Sequence, residues 1–259
     1  MAPPFRLAVL QSPSPAGDTT AAITALAQAL RAAGAMGAQA LVVPEVWLPG
    51  YNQPTIAAQA QTADGEWSGQ LSAACRQAGC GLVLGFAERD GTQVRNAAMA
   101  ISASGERLAL YRKIQLYGAR EKALYTPGDS YAIFDLGGVK AAVLICYDIE
   151  FASHVAALAA QNVQVILVPT ANMQPFTHVI RHTVPAMAAN YGVSIAYANY
   201  CGVEGDLTYV GGSLITGPHG EVLAQAGDHP ALLIADIPPP DPQRMTTQAG
   251  DLRWINWGQ

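Results

Sequence analysis

What most limits the folds open to this chain is a set of apolar runs that do not alternate. Leu41-Val42-Val43, Val143-Leu144-Ile145 and, after Gln164, the rest of the stretch from Val163 to Pro169 place apolar side chains at successive positions. A strand with one wet face alternates polar and apolar residues, so these runs are expected to be strands covered on both faces. Helices supply such cover, and stretches of helical spacing lie between the runs. Ala21 to Ala33 carries Ile23, Leu26 and Leu30 and is closed by Gly34 and Gly37; Trp67 to Ala78, Phe151 to Ala160 and His178 to Tyr191 also read as helices. Lys140 to Cys146, Phe151 to Ala160 and Val163 to Pro169 therefore predict a strand, helix, strand unit with parallel strands and a right-handed crossover. Further strand patterns lie at Phe5 to Gln11, Ala132 to Leu136, Val193 to Asn199, Tyr209 to Thr216, Val222 to Gln225 and Leu232 to Asp236. Gly81 to Glu88, Asn96 to Ser102 and Arg107 to Tyr111 read as a meander. The class is α/β. With 259 residues and 51% hydrophobic content, a single domain over 1–259 is expected. Residues 238–259, with three consecutive prolines and the apolar anchors Leu252, Trp254 and Trp257, read as a C-terminal arm.

Reactive side chains stand where three of these patterns end. Val143-Leu144-Ile145 stops at Cys146, and Tyr147-Asp148-Ile149-Glu150-Phe151 follows; Leu41-Val42-Val43 stops at Pro44-Glu45; Arg107 to Tyr111 runs into Arg112-Lys113. In sheets with covered faces, ligands collect at the carboxyl ends of strands, so these groups are candidates for one site. Taken singly, each also has an ordinary reading, as a small buried hydrophobe, a solvated glutamate and a snorkelling lysine. Glu121, in the loop-like stretch Arg120 to Gly128, is a second acidic candidate. Thr170-Ala171-Asn172-Met173-Gln174-Pro175-Phe176 follows a strand at the edge that carries Cys146, which makes it a natural substrate wall.

Other chemistries are largely set aside by composition and spacing. A formal charge of -5 and the lack of a Lys/Arg-rich run argue against nucleic acid or an anionic membrane surface as the main partner. Cysteines at 75, 80, 146 and 201 are too few and scattered for a disulfide scaffold, and no signal-peptide core or membrane-length apolar run is present, so a soluble cytoplasmic protein is expected. The glycines of Gly79 to Gly85 precede a strand instead of joining a strand to a helix, unlike a dinucleotide loop. His178 and His182 have metal-ligand spacing but no evident third ligand, and no metal is expected. Gly211-Gly212-Ser213-Leu214-Ile215 lacks the final glycine of a serine nucleophile elbow. A cysteine–histidine arrangement stays open, because sequence alone does not place the five histidines.

Glu45, Lys113 and Cys146, in that order, resemble the nitrilase superfamily of carbon-nitrogen hydrolases. The likeness rests on Pro44-Glu45 with Gly50-Tyr51-Asn52, on Tyr111-Arg112-Lys113 and on Cys146-Tyr147-Asp148, and it runs from about Phe5 to Asp236. Glu121 matches the family's second glutamate. Leu144 to Phe151, Val168 to Met173 and Ala196 to Gly202 look most like bacterial aliphatic amidases of the 5-aminopentanamidase kind. The resemblance implies a four-layer αββα sandwich, commonly dimerised into an αββααββα stack, with no cofactor and with a homodimer or higher homo-oligomer as the assembly. It implies Glu45 as general base, Lys113 with the Tyr147 backbone N–H as oxyanion stabilisers, and Cys146 as nucleophile. Glu121 would position the substrate and the attacking water. The expected partner is a small amide, walled by Tyr51, Tyr117, Tyr147, Asn172, Met173 and Phe176. Tyr147, where the family's nitrilases carry tryptophan, favours amides over nitriles; Glu150, where its carbamoylases carry arginine, disfavours a substrate carboxylate. Nitrile or N-carbamoyl hydrolysis and a non-catalytic binding subunit are the alternatives. The chain departs from the family pattern at Ala152, Ser153, Ala156, Met187 and Asn190, which predicts altered packing or dimer geometry behind the nucleophile.

Overall fold

The computed structural model describes residues 5–253. β1 (Phe5–Gln11) leads through α1 (Thr19–Ala35) to β2 (Ala40–Val42), and α2 (Ile56–Gln59) and α3 (Glu66–Ala78) lead on to β3 (Gly81–Asp90). Asp18 starts α1 by accepting the Ala21 N–H at 2.9 Å, and Gly79 ends α3 with φ +61°, a conformation that costs glycine nothing. β3, β4 (Gln93–Ile101) and β5 (Arg107–Arg112) form an antiparallel meander. The second half runs α4 (Gly118–Leu124), β6 (Ile133–Leu136), β7 (Val139–Val143), α5 (Ala152–Ala159), β8 (Val165–Pro169), α6 (Val184–Tyr191) and β9 (Ser194–Ala198). A small hairpin of β10 (Val203–Glu204) and β11 (Leu207–Thr208) precedes β12 (Leu214–Thr216), β13 (Val222–Gln225), β14 (Ala231–Ile237) and α7 (Gln248–Asp251).

These strands make two six-stranded sheets, ordered β14-β1-β2-β3-β4-β5 and β13-β12-β9-β8-β7-β6. The middle of each is parallel, with Val9 opposite Val42 in the first and Leu167 opposite Ala196 in the second. The layers explain why the apolar runs do not alternate. Leu7, Val9, Val42 and Val83 face the second sheet, in one core with Val165, Leu167 and Ile195, whereas Ala8, Leu41 and Leu82 face Leu26 and Leu30 of α1 and Leu71 of α3. Val155 and Leu158 of α5 and Val184 and Ala188 of α6 cover the other side of the second sheet. The order is therefore helix, sheet, sheet, helix. Each fully buried leucine in these layers contributes about 2 kcal/mol of apolar burial.

The structure departs from the sequence reading in five places. Gly118–Leu124 is helical although the stretch reads as loop, because its buried side chain is the carboxylate of Glu121 and leaves no apolar period. β7 stops at Val143, and Cys146–Glu150 turns as a 3-10 helix because Asp148 captures the Ile145 N–H at 3.0 Å. The strand expected from Tyr209 to Thr216 is paired with its sheet only at Leu214–Thr216, since Gly211 and Gly212 take φ +63° and +65°. The helix expected from His178 opens with a π-helical turn over Val179–Thr183 before α6, where Pro185 lacks an N–H to donate. In the arm, Trp254 and Trp257 lie outside the described residues and Leu252 is exposed; α7 instead packs beside α6, and Met245 Cε fills the space beside Gly192 that a Cβ would occupy.

Candidate active site

The carboxyl ends of β2, β5, β7, β8 and β9 gather the reactive groups. Glu45 follows β2, and its N–H donates to Thr170 O, just past β8 in the other sheet, at 3.2 Å, while the Tyr200 hydroxyl donates to Glu45 O at 2.8 Å. Lys113 follows β5 and donates its N–H to Asn96 O of β4 at 2.8 Å. Beside it, Arg112 grips the buried Glu88 carboxylate of β3 with two bonds of 2.7 and 2.8 Å. Cys146 follows β7 with φ +46°, an uncommon conformation for a side-chain-bearing residue, and Val46 beside Glu45 has the same φ. Asp148 fixes the Cys146 turn: its carboxylate accepts Ile145 N at 3.0 Å, Gln115 N at 2.7 Å and the Tyr111 hydroxyl at 2.7 Å.

Three charged side chains meet out of water. Lys113 Nζ donates to Glu45 Oε1 at 2.7 Å and to Glu121 Oε1 at 2.9 Å, and all three residues are at most 2% exposed. Asn96 Nδ2 also donates to Glu45 Oε1 at 2.7 Å, so that oxygen is taken twice, whereas Glu45 Oε2 has no hydrogen-bond partner among the described groups. Glu121 is fully engaged: the Tyr51 hydroxyl at 2.7 Å and Lys113 hold Oε1, and Tyr117 N holds Oε2 at 2.8 Å. Burial raises the Glu45 pKa to about 7; Lys113 and the Asn96 bond pull against it, and the nearby Glu121 charge adds to it. Burial works against the Lys113 ammonium, yet the two carboxylates hold its pKa well above the usual lysine value. The Cys146 thiol is pushed well up, first by burial and then by the Glu45 charge, with Lys113 opposing. The resting site thus holds a protonated thiol, a lysinium and a carboxylate able to take a proton near neutral pH.

Cys146 opens into a cavity of about 240 Å³. Of the four cysteines it alone is not buried. All the sequence-expected wall residues line this cavity: Tyr51, Tyr117, Tyr147, Glu150, Asn172, Met173 and Phe176. Tyr117 meets Tyr147 and Phe176 edge-on, with ring centroids 5.3 and 6.0 Å apart. Asn172 is held by Asn199, whose Oδ1 accepts Asn172 N at 2.8 Å. Burial holds the Glu150 carboxyl pKa above its ordinary value, with the nearby His178 and Lys113 opposing it. A larger groove of about 1030 Å³ lies at the other end of the second sheet, around Val139, Gln164 and Gly192, and holds none of these residues.

Sequence reasoning missed Asn96, which shares Glu45 Oε1 with Lys113, and His178, which lines the cavity. Asn96 gave a weak signal, a polar residue opening a strand pattern. His178 drew attention only as half of a metal-ligand spacing; it precedes the π-helical turn over Val179–Thr183, which carries His182 at an exposed position. Behind Cys146, at the stretch where the expected family pattern is broken, the buried His154 of α5 bonds to the Tyr131 hydroxyl at 2.7 Å and to Gln115 Nε2 at 3.0 Å. Among the described residues, no helix is long and apolar enough to cross a membrane.

Comparisons with known proteins agree with this geometry. A hydrolase encoded in the pqqF 5' region of Pseudomonas protegens is 38% identical over 238 residues, covering 90% of this chain and 82% of the relative. A nitrilase of Pyrococcus abyssi is 34% identical over 204 residues, covering 77% and 76%. Among solved structures, the amidase from Nesterenkonia sp. AN1 superposes with a TM-score of 0.87 at 34% identity, covering 96% of this chain and 94% of that one. One of its structures is a cysteine-to-alanine mutant in complex with butyramide, and another shows the acetamide moiety of fluoroacetamide covalently added at the active site cysteine. The family model for carbon-nitrogen hydrolases matches residues 6–246, and with sheets, helices and reactive residues disposed as described, this chain belongs to the carbon-nitrogen hydrolase family.

Proposed function

We propose that this protein hydrolyses a small aliphatic carboxamide, neutral or cationic, to the carboxylic acid and ammonia through a thioester on Cys146. The observation that carries the reading is the buried Glu45 carboxylate, bonded to the Lys113 ammonium through Oε1 with Oε2 left free, whose charge is felt by the Cys146 thiol that lines a small cavity. Sγ attacks the amide carbonyl carbon as its proton passes to Glu45. Lys113 Nζ and the Tyr147 N–H stabilise the oxyanion, a contribution worth about 3 kcal/mol of barrier per donor. Glu45 then gives its proton to the leaving nitrogen as the tetrahedral intermediate collapses and ammonia departs; water attacks the thioester with Glu45 again accepting a proton, the C–S bond breaks to release the acid, and Glu45 returns that proton to Sγ. Glu121 has no free oxygen for that step, which supports it as the group that holds Lys113, Tyr51 and the Tyr117 backbone in place. The cavity volume fits a short acyl chain, and Glu150 on its wall favours an ammonium over a carboxylate at the far end. We also propose a homodimer in which the outer faces of α5 and α6 meet; these helices present Ala152, Ala156, Ala157 and Ala186, small enough for close helix approach.

The nitrilase relative keeps nitriles as the second reading. Ammonia release from small aliphatic, ω-amino, carboxylated and N-carbamoyl amides and matching nitriles, measured for wild type and Cys146→Ala, tests both. Release from neutral and ω-amino amides that falls by at least about 10³-fold in the mutant is expected. Release retained by Cys146→Ala would sink the thioester, nitrile-only activity would transfer the reading to a nitrilase, and equal rates for amino and carboxylated amides would remove the role given to Glu150.

A further inference from the structure

Glu204 is a buried carboxylate that the proposed reaction does not use. It sits in the β10–β11 hairpin, 3% exposed, and no cation pairs with it among the described residues. A carboxylate out of water and without a counter-ion persists only when hydrogen-bond donors surround it. Four do. Ser14 Oγ donates to Oε1 at 2.6 Å and Gln53 Nε2 to the same oxygen at 2.5 Å; Asn52 N donates to Oε2 at 3.0 Å, joined there by the Tyr209 hydroxyl. Asn52 Nδ2 adds a bond to the Glu204 carbonyl at 2.7 Å.

Two of those donors, Asn52 and Gln53, directly follow Tyr51, and Tyr51 reaches into the site to bond Glu121 Oε1 at 2.7 Å. The approach is close enough to dictate sequence: a Cβ on Gly50, at φ +126°, would stand 2.6 Å from Glu204 Oε1 and 2.7 Å from Ser14 Oγ. On the other side of the hairpin, a Cβ on Gly205 would stand 2.9 Å from Asn52 Nδ2. A surface hairpin whose only task was to close a loop would not need a buried carboxylate packed against Gly50, nor a turn glycine packed against the Asn52 amide. We propose that Glu204 is a positioning residue: it tethers Gly50–Gln53 and thereby sets the Tyr51 hydroxyl against Glu121, which holds Lys113. This rests on the reading of Glu121 and Lys113 given above.

A double-mutant cycle tests it. Glu204→Gln keeps the shape but turns one acceptor oxygen into an amide that must face a donor. Tyr51→Phe removes the hydroxyl at the end of the relay. Each single variant is expected to lower kcat/KM for the best amide by about 10-fold, and the double variant to fall no further than Tyr51→Phe, because both act through one bond. Additive losses of about 100-fold, or a Glu204→Gln enzyme with lowered Tm and unchanged kcat/KM, would overturn the tether. A Tyr51→Phe enzyme with wild-type kcat/KM would instead overturn the underlying role of Glu121. If Glu204→Gln does not fold, Tyr209→Phe removes one of the four bonds while keeping its ring against Tyr200, and the same cycle is read with that variant.

Discussion

Glu45 has one oxygen committed and one free, and the asymmetry comes from its neighbours. Lys113 and Asn96 saturate Oε1, so a proton from Cys146 has only Oε2 to go to. With a pKa raised to about 7 by burial, Glu45 is ionised above neutrality and protonated below it. Because the base must be ionised to accept the thiol proton, kcat/KM should fall as pH drops through about 7, and the acid limb of its pH profile should have its midpoint there. Removing the Asn96 bond, as in Asn96→Leu, takes away a contact that favours the charged form and should move that limb to higher pH. A limb that stays near the ordinary carboxylate range, about pH 4 to 5, would mean Glu45 is not the base. The charge candidates themselves were legible in the sequence, since each interrupts or ends an apolar run. Asn96 was not, because its importance depends on a side-chain bond to Glu45 that spans 51 residues of sequence and reaches across from β4, with β3 between it and β2 in the sheet.

Elements place these residues by how closely they pack. β3 passes beside the Pro44–Val46 turn at Gly85, where a Cβ would stand 2.6 Å from Val46 N and 2.8 Å from Glu45 Cα. Those atoms are backbone, so an alanine there must push the turn that carries Glu45 and Val46, the latter already at φ +46°. Gly85→Ala should cost about 1–3 kcal/mol of stability by overpacking. It should also lower kcat/KM by about 100-fold, because a displacement near 1 Å at a reacting group costs that much. Gly69→Ala is the control: it lies within α3 with nothing inside 4 Å of the added carbon, so activity should hold and Tm rise. Thermal melts and kinetics of both variants decide the point; a fully active Gly85→Ala enzyme would show that β3 does not fix the base. The strands and helices that carry the site were readable from period and punctuation. α4 escaped because its one buried residue is Glu121, and the Cys146 turn escaped because a side chain, Asp148, ends β7 early.

At the scale of the whole molecule, the same layering that buries both sheets leaves the outer faces of α5 and α6 as the surface where two copies are proposed to meet. Light scattering should return a mass near twice 27.1 kDa, and Ala156→Arg on α5 should shift it to the monomer; a monomeric wild type would remove the proposal. What the sequence by itself determined is what local order encodes. Continuous apolar runs required two-sided cover and hence helices against sheets; Glu45, Lys113 and Cys146 stood out at strand ends, and their order and local motifs resembled those of the carbon-nitrogen hydrolases, which is what implied amide chemistry. Those signals survive in one dimension because side-chain period and strand termination are set within a few residues. What only the tertiary structure decided is the state of the site: which oxygen of Glu45 is free, that Glu121 is spent on Lys113, Tyr51 and Tyr117, and that Glu204 reaches Ser14 across 190 residues to hold the Tyr51 loop. Desolvation and hydrogen bonding depend on atoms brought together from both sheets, and no stretch of sequence contains that neighbourhood.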